Sequence, residues 1–514
     1  MLYKKFLGIE LGSTRIKSIL IDESGDIIAR GCYEWENKLE DGYWTYSLSE
    51  VWRGIQASYA ALAAEYEDRT RERLNRLDGI GISAMMHGYL AFNKEGELLV
   101  PFRTWRNTTT SQAAESLTKI LGFNIPQRWS VAHYYQAVLN NEPHVKDVAY
   151  LTTLAGYVHW RLTGEKVLGI GDASGMFPIS GGGYDNQMLA KFNVQLKEKG
   201  IDTPFESLLP KVMTAGECAG YLTAEGSKLL DQSGTLTNAP SFCPPEGDAG
   251  TGMVATNALQ ERTGNVSAGT SAFVMVVMEK SLKNVYSEID VVTTPSGKPV
   301  AMVHVNNFTS EINVWTKLFG EVAELAGGCK DNLIGKLFLK SADSDENCGG
   351  LVGYNFLSGE PIADCAEGRP LLLRPPKGNL TLANFMQMQI YSALGTLALG
   401  MDILAAENVE VKEICGHGGF FRTELIGAKA MSAAVNAPVT VMKNSGEGGA
   451  WGIALLALYV NYKNETLERF ISALFENIEK TAITADGKER AKFAAFMEKY
   501  KKGLAVEQFA AEVL

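Results

Sequence analysis

The sequence predicts an α/β protein of two related domains, and three observations carry that prediction. A chain of 514 residues exceeds what one hydrophobic core normally organises, so two domains of roughly 250 residues are expected. Strand-like apolar runs alternate with helical periodicity through both halves. The opening pattern of strand, glycine turn and return strand comes back beyond Gly264, as a weak internal repeat. Residues 1–255 and 256–514 are therefore read as the two domains, with ligands expected in a cleft between them.

Taken in order, Phe6 to Leu11 reads as a strand, Gly12-Ser13-Thr14 as a turn, Ile16 to Ile21 as the return strand and Ile27 to Cys32 as a third. Helical spacing runs from Leu48 to about Leu77, and Gly79 to Ala84 is a buried strand that ends at Met86-His87-Gly88. The repeat follows, with a strand over Asn265 to Ala268, a turn at Gly269-Thr270-Ser271 and a return over Ala272 to Met278. A long helix is expected from Leu382 to Ala406, then a strand over Glu413 to Cys415, the turn Gly416-His417-Gly418-Gly419 and a helix through Ala434. A strand over Val439 to Met442, the turn Gly446-Glu447-Gly448-Gly449 and an apolar helix from Ala450 come next. From Thr466 on, the pattern is amphipathic helix.

Composition narrows the function. With 46% hydrophobic and 21% charged residues, a core forms without disulfides or structural metal. The net charge of −11 opposes phosphate-backbone binding, so no nucleic-acid partner is expected. Arg69, Arg71, Arg73 and Arg76 interleave with Glu65, Glu67, Asp68 and Glu72, which reads as a solvated helix face. The seven cysteines stand singly without a CxxC pair, the pattern of reduced thiols. The start runs into Glu10 too early for a signal-peptide apolar region, and runs such as Ala272 to Met278 are too short to cross a bilayer. A cytoplasmic protein without a membrane partner is expected, and a homodimer fits the general frequency of symmetric pairs.

Several standard sites are missing from the sequence. There is no GxxxxGK[ST] loop and no HExxH pair. Asp343 to Asn347 begins like a calcium loop, but Cys348 takes the place of the glycine and Tyr354 that of the closing glutamate. Gly250 to Ala255 fits only a relaxed dinucleotide fingerprint, without the acidic residue that should follow. What remains is four glycine turns placed directly after strands. Glycine lets the backbone approach a ligand and frees amides to point at phosphate oxygens, and Ser or Thr hydroxyls add donors.

The order of these turns resembles the FGGY carbohydrate kinases of the actin-like ATPase superfamily, from Gly8 to about Ala457. The resemblance implies two actin-like, ribonuclease H-like domains with an interdomain active-site cleft. It matches the first hairpin to Gly8-Ile9-Glu10-Leu11-Gly12-Ser13-Thr14-Arg15-Ile16-Lys17, with Glu10 where the family usually has Asp, and carries a Mg2+ role to Glu10. Met85-Met86-His87-Gly88 is similar to the sugar-pocket segment of xylulokinase-like members. Pro101 to Asn107 is similar to a second substrate stretch, with Asn107 in place of the usual Asp. Met86, His87, Trp105 and Asn107 are thereby implied as substrate-binding residues. Asp172-Ala173-Ser174-Gly175 matches a segment read as architectural. Pro245-Glu246-Gly247-Asp248 resembles the family's Gly-Asp segment, whose Asp takes the proton from the attacking sugar hydroxyl and lies near the metal.

Gly12, Ser13, Thr14, Gly269 and Thr270 can supply donors to the phosphates of ATP, with Lys17 a candidate phosphate contact, and the resemblance places adenosine against Gly416, Gly418, Gly419 and the Gly446 to Gly449 turn that contains Gly448 and Gly449. The expectation is an ATP- and Mg2+-dependent kinase acting on a small ketose, a ketopentose such as D-xylulose or L-ribulose, with Asp248 as base and closure of the domains excluding water. A kinase for a hexulose, aldonate or sugar alcohol, or a non-catalytic sugar or nucleotide sensor on the same fold, stands as the alternative.

Overall fold

The computed structural model describes residues 4–421, 423, 425–442, 448–462 and 464–514. It divides into two compact units, one formed by Met1–Leu259, Val291–Val300 and Glu447–Asn477, the other by Gln260–Asp290, Ala301–Gly446 and Ile478–Leu514. A single cut after residue 255 does not describe this division. Residues 256–259 finish the helix Asp248–Ala255, with the Ala258 amide donating to the Met253 carbonyl (2.9 Å), and Leu259 is buried. The late segment returns because the apolar helix Gly448–Tyr459 packs on the opening strand.

In the first unit, Phe6–Leu11 and Arg15–Ile21 pair antiparallel from Phe6↔Ile21 to Leu11↔Ile16, and Ile27–Glu34 continues the meander. Gly79–Ala84 joins the other side of Phe6–Leu11 in parallel, and the two short strands Ser241–Phe242 and Glu246–Gly247 lie parallel to it in turn. Helices close both faces. On one, Leu48–Thr70 starts on a Ser47 cap that accepts the Glu50 amide (3.2 Å) and buries Val51, Ile55, Tyr59, Leu62 and Tyr66, one stripe of its surface. On the other, Gly448–Tyr459 comes so close that a Cβ on Gly8 would overlap the Ala450 carbonyl and stand 2.7 Å from the Ala454 nitrogen.

The second unit repeats this plan. Within it the sheet runs 289–290, 301–305, Ala272–Val277, Thr263–Ala268, Glu413–His417, Val439–Met442, Lys480–Ile483. The antiparallel hairpin Thr263–Ala268/Ala272–Val277 again extends in parallel, here through Glu413–His417 and Val439–Met442. The helix Leu382–Ala406 is, among the described residues, the one helix long and apolar enough to cross a membrane. Its apolarity serves packing: 78% of its most apolar window is buried, and Gly395 admits the Tyr500 ring.

Two predicted elements change. The helix from Leu48 ends at Thr70, because Arg71 takes a left-handed backbone (φ 63°) and the chain to Asp78 is irregular. The stretch after Thr466 is a helix, Leu467–Leu474, then the edge strand Lys480–Ile483, then Gly487–Val513 under an Asp486 cap. That strand is mostly exposed, so it carries no apolar alternation to read. The seven cysteines are free thiols, with Cys243, Cys348, Cys365 and Cys415 buried.

Candidate active site

Glu10 lies next to last on the opening strand, opposite Lys17 across the hairpin. The first turn of Gly448–Tyr459 points at its carboxylate, and the Ala450 amide donates to Oε2 (3.3 Å). Gly449 is required there, since a Cβ would stand 2.6 Å from both Glu10 Oε1 and Thr251 Oγ1. At Gly448 an added Cβ would be 3.7 Å from Glu10 Oε2 and 3.8 Å from Lys17 Nζ. Gly448 and Gly449 thus pack against Glu10 and Lys17; Gly446 and Glu447 lie outside the described residues. Burial raises the Glu10 carboxyl above its usual range, while the Lys17 charge and the Ala450 and Gly449 amides pull it down.

Asp248 opens the helix Asp248–Ala255 directly after the strand Glu246–Gly247. Its Oδ1 accepts the amides of Met86 (3.1 Å) and Ala249 (3.0 Å), which fix the direction of the carboxylate. Burial pushes the group up to about 7, and the negative charge of Glu10 adds to the rise. Gly250 to Ala255 is the body of this helix, so the relaxed dinucleotide pattern is not a phosphate loop.

Two carboxylates that feel each other's charge, with Lys17 the cation acting on Glu10, suit a divalent ion. Mg2+ commonly takes one or two carboxylates and completes its shell with water and substrate phosphates. Among the described residues no group of three or more His, Cys, Asp or Glu forms a self-sufficient metal cage. The pair therefore fits Mg2+ that arrives with ATP.

Beside Asp248, the chain at Met86-His87-Gly88 takes a strained course. His87 has φ 69° and is buried, its Nδ1 is 3.3 Å from the Gly175 carbonyl oxygen, and its ring lies parallel to Trp129 at 6.2 Å between centroids. Left-handed non-glycine residues cluster at functional sites, where surrounding structure holds them in place. Ser130 Oγ donates to the Gly88 carbonyl (2.6 Å) and the Gly88 amide to the Arg128 carbonyl (3.0 Å), which ties the 128–130 stretch to this turn. Trp129 is fully buried, and its indole N–H has no partner among the described residues, nor has Gln127 Oε1. Sequence reading did not single out Trp129, because its neighbours Gln127, Arg128 and Ser130 form no recognisable motif.

Asp172 also gathers here. Thr153 Oγ1 donates to its Oδ2 (2.6 Å), Oδ1 has no partner among the described residues, and burial pushes the group up to about 7 with a contribution from Asp248. Glu246 accepts the amides of Gly171 (3.2 Å) and Asp172 (2.9 Å), and burial lifts it to about 8. The architectural reading of Asp172 omitted this neighbourhood of buried acids. Asn107 is a correction in the other direction. Its amide is spent on the backbone, with Oδ1 accepting from the Trp44 amide (2.8 Å) and Nδ2 donating to the carbonyls of Trp44 (2.9 Å) and Thr104 (3.0 Å). It pins the Tyr43–Thr45 arm, while Trp105 packs half-buried against the core.

At the first turn the Gly12 amide is committed to the Arg15 carbonyl (2.9 Å), so it is not a free donor as expected. The Ser13 carbonyl accepts from Tyr46 Oη (2.6 Å) and the Thr14 carbonyl from the Trp35 amide (3.1 Å), leaving the Ser13 and Thr14 hydroxyls at the half-buried to exposed tip. In the second unit the equivalent turn has exposed Gly269 and Thr270, braced by Thr309 Oγ1 on the Gly269 carbonyl (2.6 Å). Gly418, at φ 108°, brings the Gly416 to Gly419 turn onto this hairpin, because a Cβ there would overlap the Ala268 carbonyl. Gly416 abuts the Phe421 ring, whereas Gly419 has open space where a side chain would be.

Models of the FGGY family of carbohydrate kinases match residues 5–237 with the family's N-terminal domain and 264–460 with its C-terminal domain. The chain is similar to xylulose kinase from Staphylococcus xylosus, 22% identical over 53% of this chain and 54% of that protein, so this alignment spans about half of each. Xylulose kinase from Haemophilus influenzae is 21% identical over 93% of this chain and 94% of that protein. Among solved structures, the gluconate kinase from Lactobacillus acidophilus superposes with TM-score 0.80 at 16% identity, covering 99% of this chain and all of that one, which speaks to fold alone. Two actin-like α/β domains, matched in turn by both family models, make this chain a member of the FGGY family of carbohydrate kinases, ATP-dependent phosphotransferases that act on sugar-class substrates.

Proposed function

We propose that this kinase transfers the γ-phosphate of ATP to a hydroxyl of a small ketose, a ketopentose such as D-xylulose or L-ribulose, with Asp248 as general base. The observation that carries the reading is the Asp248 carboxylate, aimed by the Met86 and Ala249 amides and raised by burial to about 7. A base poised near neutrality combines the ionised form with useful proton affinity. As the sugar oxygen attacks phosphorus, its O–H bond breaks towards Asp248, the new P–O bond forms, and the bond to the bridging oxygen of ADP breaks.

Met86, His87 and Trp129 are the proposed sugar contacts, the indole N–H donating to a hydroxyl; Trp105 is proposed as a flanking wall and Asn107 as its support. Ser13, Thr14, Lys17, Gly448 and Gly449 are proposed for the phosphates in the first unit, with Gly12 shaping the turn. Gly269, Thr270, Gly416, Gly418 and Gly419 are proposed for the nucleotide in the second. Mg2+, held by Glu10 and Asp248, would neutralise charge on the β- and γ-phosphates. A cytoplasmic homodimer is proposed alongside, to be checked by light scattering and fractionation.

The test is ADP release from Mg-ATP across ketopentoses, ketohexoses, aldonates and polyols, with a no-sugar control and Asp248→Asn alongside. Release on a ketopentose that falls by about 10²–10⁴ in Asp248→Asn, with ATP binding kept, is the expected result. Fastest release on an aldonate or polyol would replace the acceptor, and near-normal turnover in Asp248→Asn would remove the base.

A further inference from the structure

The second unit has an open surface depression of about 630 Å3 that shares no lining residue with the Gly269-Thr270 turn or the Gly416 to Gly419 turn. Arg374, Lys377 and Lys499 line it, and no carboxylate does. Basic residues nearby in sequence are paired, Arg369 with Glu367 and Lys501 with Asp402. None of the three lining cations has an ion-pair partner among the described residues. Three unpaired like charges around one depression, in a chain of net charge −11, make a local positive field that an anion would relieve.

Scattered surface lysines would give a similar charge count without a shaped wall. Here the wall is built closely. Gly349 and Gly350 have φ of 65° and 84°, a Cβ on Gly349 would overlap the Asn379 carbonyl, and Cβ atoms on Gly350 or Gly378 would stand 3.0 Å from the Pro375 ring. Arg374 and Lys377 flank Pro375-Pro376, whose rings fix φ at both positions and stiffen this edge, and Lys499 lines the depression from the helix Gly487–Val513. An arginine fork with two ammonium groups suits a tetrahedral dianion, and the volume suits a small metabolite rather than a polymer. We propose that this depression binds a phosphorylated small metabolite through its phosphomonoester group.

Calorimetric titration of the full chain, with the nucleotide site saturated by a non-hydrolysable ATP analogue and Mg2+, tests this with two probes, glucose 6-phosphate and inorganic phosphate. The expected result is one glucose 6-phosphate per chain, bound more tightly than inorganic phosphate. A Lys377→Glu/Lys499→Glu variant should weaken it by about tenfold or more, with the ATP analogue's affinity unchanged. A Lys377→Gln/Lys499→Gln variant should fall between, and since both lysines are exposed, thermal unfolding should be unaltered. Absence of saturable binding, or equal binding by wild type and variants, would overturn the site. Inorganic phosphate binding as tightly as glucose 6-phosphate would overturn the metabolite assignment.

Discussion

The indole of Trp129 is stacked on His87 with its N–H unpartnered among the described residues, so Trp129→Phe keeps the ring face and deletes one donor. KM for the sugar is expected to rise about 3–10-fold, with kcat changed far less, in a coupled ADP assay. A purely structural tryptophan would lower stability and leave that ratio alone. Met86, His87 and Asp248 could be singled out as candidates because their residue types stand in recognisable local segments. Trp129 was not, because the turn it supports is distant in sequence. Asn107 shows the opposite failure: the residue type suggested a sugar contact, but hydrogen bonds to Trp44 and Thr104 are visible only when the arm is folded over it. Asp172 was legible as a segment and illegible as a neighbour of Asp248.

Among the elements, the contact between Phe6–Leu11 and Gly448–Tyr459 depends on Gly8. Gly8→Ala forces a methyl into the Ala450 carbonyl, and the loss is expected to be about 2–3 kcal/mol by urea denaturation. Gly487→Ala is the control: it has open space and ordinary backbone angles at a helix start, so its change should be close to zero or slightly stabilising. The two hairpins and the parallel strands beside them were readable, since buried strands leave continuous apolar runs bounded by glycine. The end of the first long helix was not, because Arg71 ends it through a left-handed angle that an arginine does not advertise. Nor was Lys480–Ile483, an edge strand defined by its partner Val439–Met442 rather than by its own pattern.

For the whole molecule, the internal repeat announced two α/β units, but not that the first is assembled from three separate stretches of chain. A fragment ending at Leu259 holds most of that unit yet lacks the helix that meets Gly8, Gly79 and Gly81. It is expected to bind a hydrophobic dye and to lose cooperative urea unfolding, and adding a 447–477 peptide should restore both towards native behaviour. Unchanged cooperativity in the fragment alone would make the returning helix dispensable. The same arrangement matters on the ribosome. At bacterial or eukaryotic elongation speeds, roughly 20–90 s pass between synthesis of the opening hairpin and emergence of Gly448–Tyr459. Throughout that interval one face of the nascent sheet has no cover, so productive expression should depend on holding chaperones and respond to the codon speed of the intervening message.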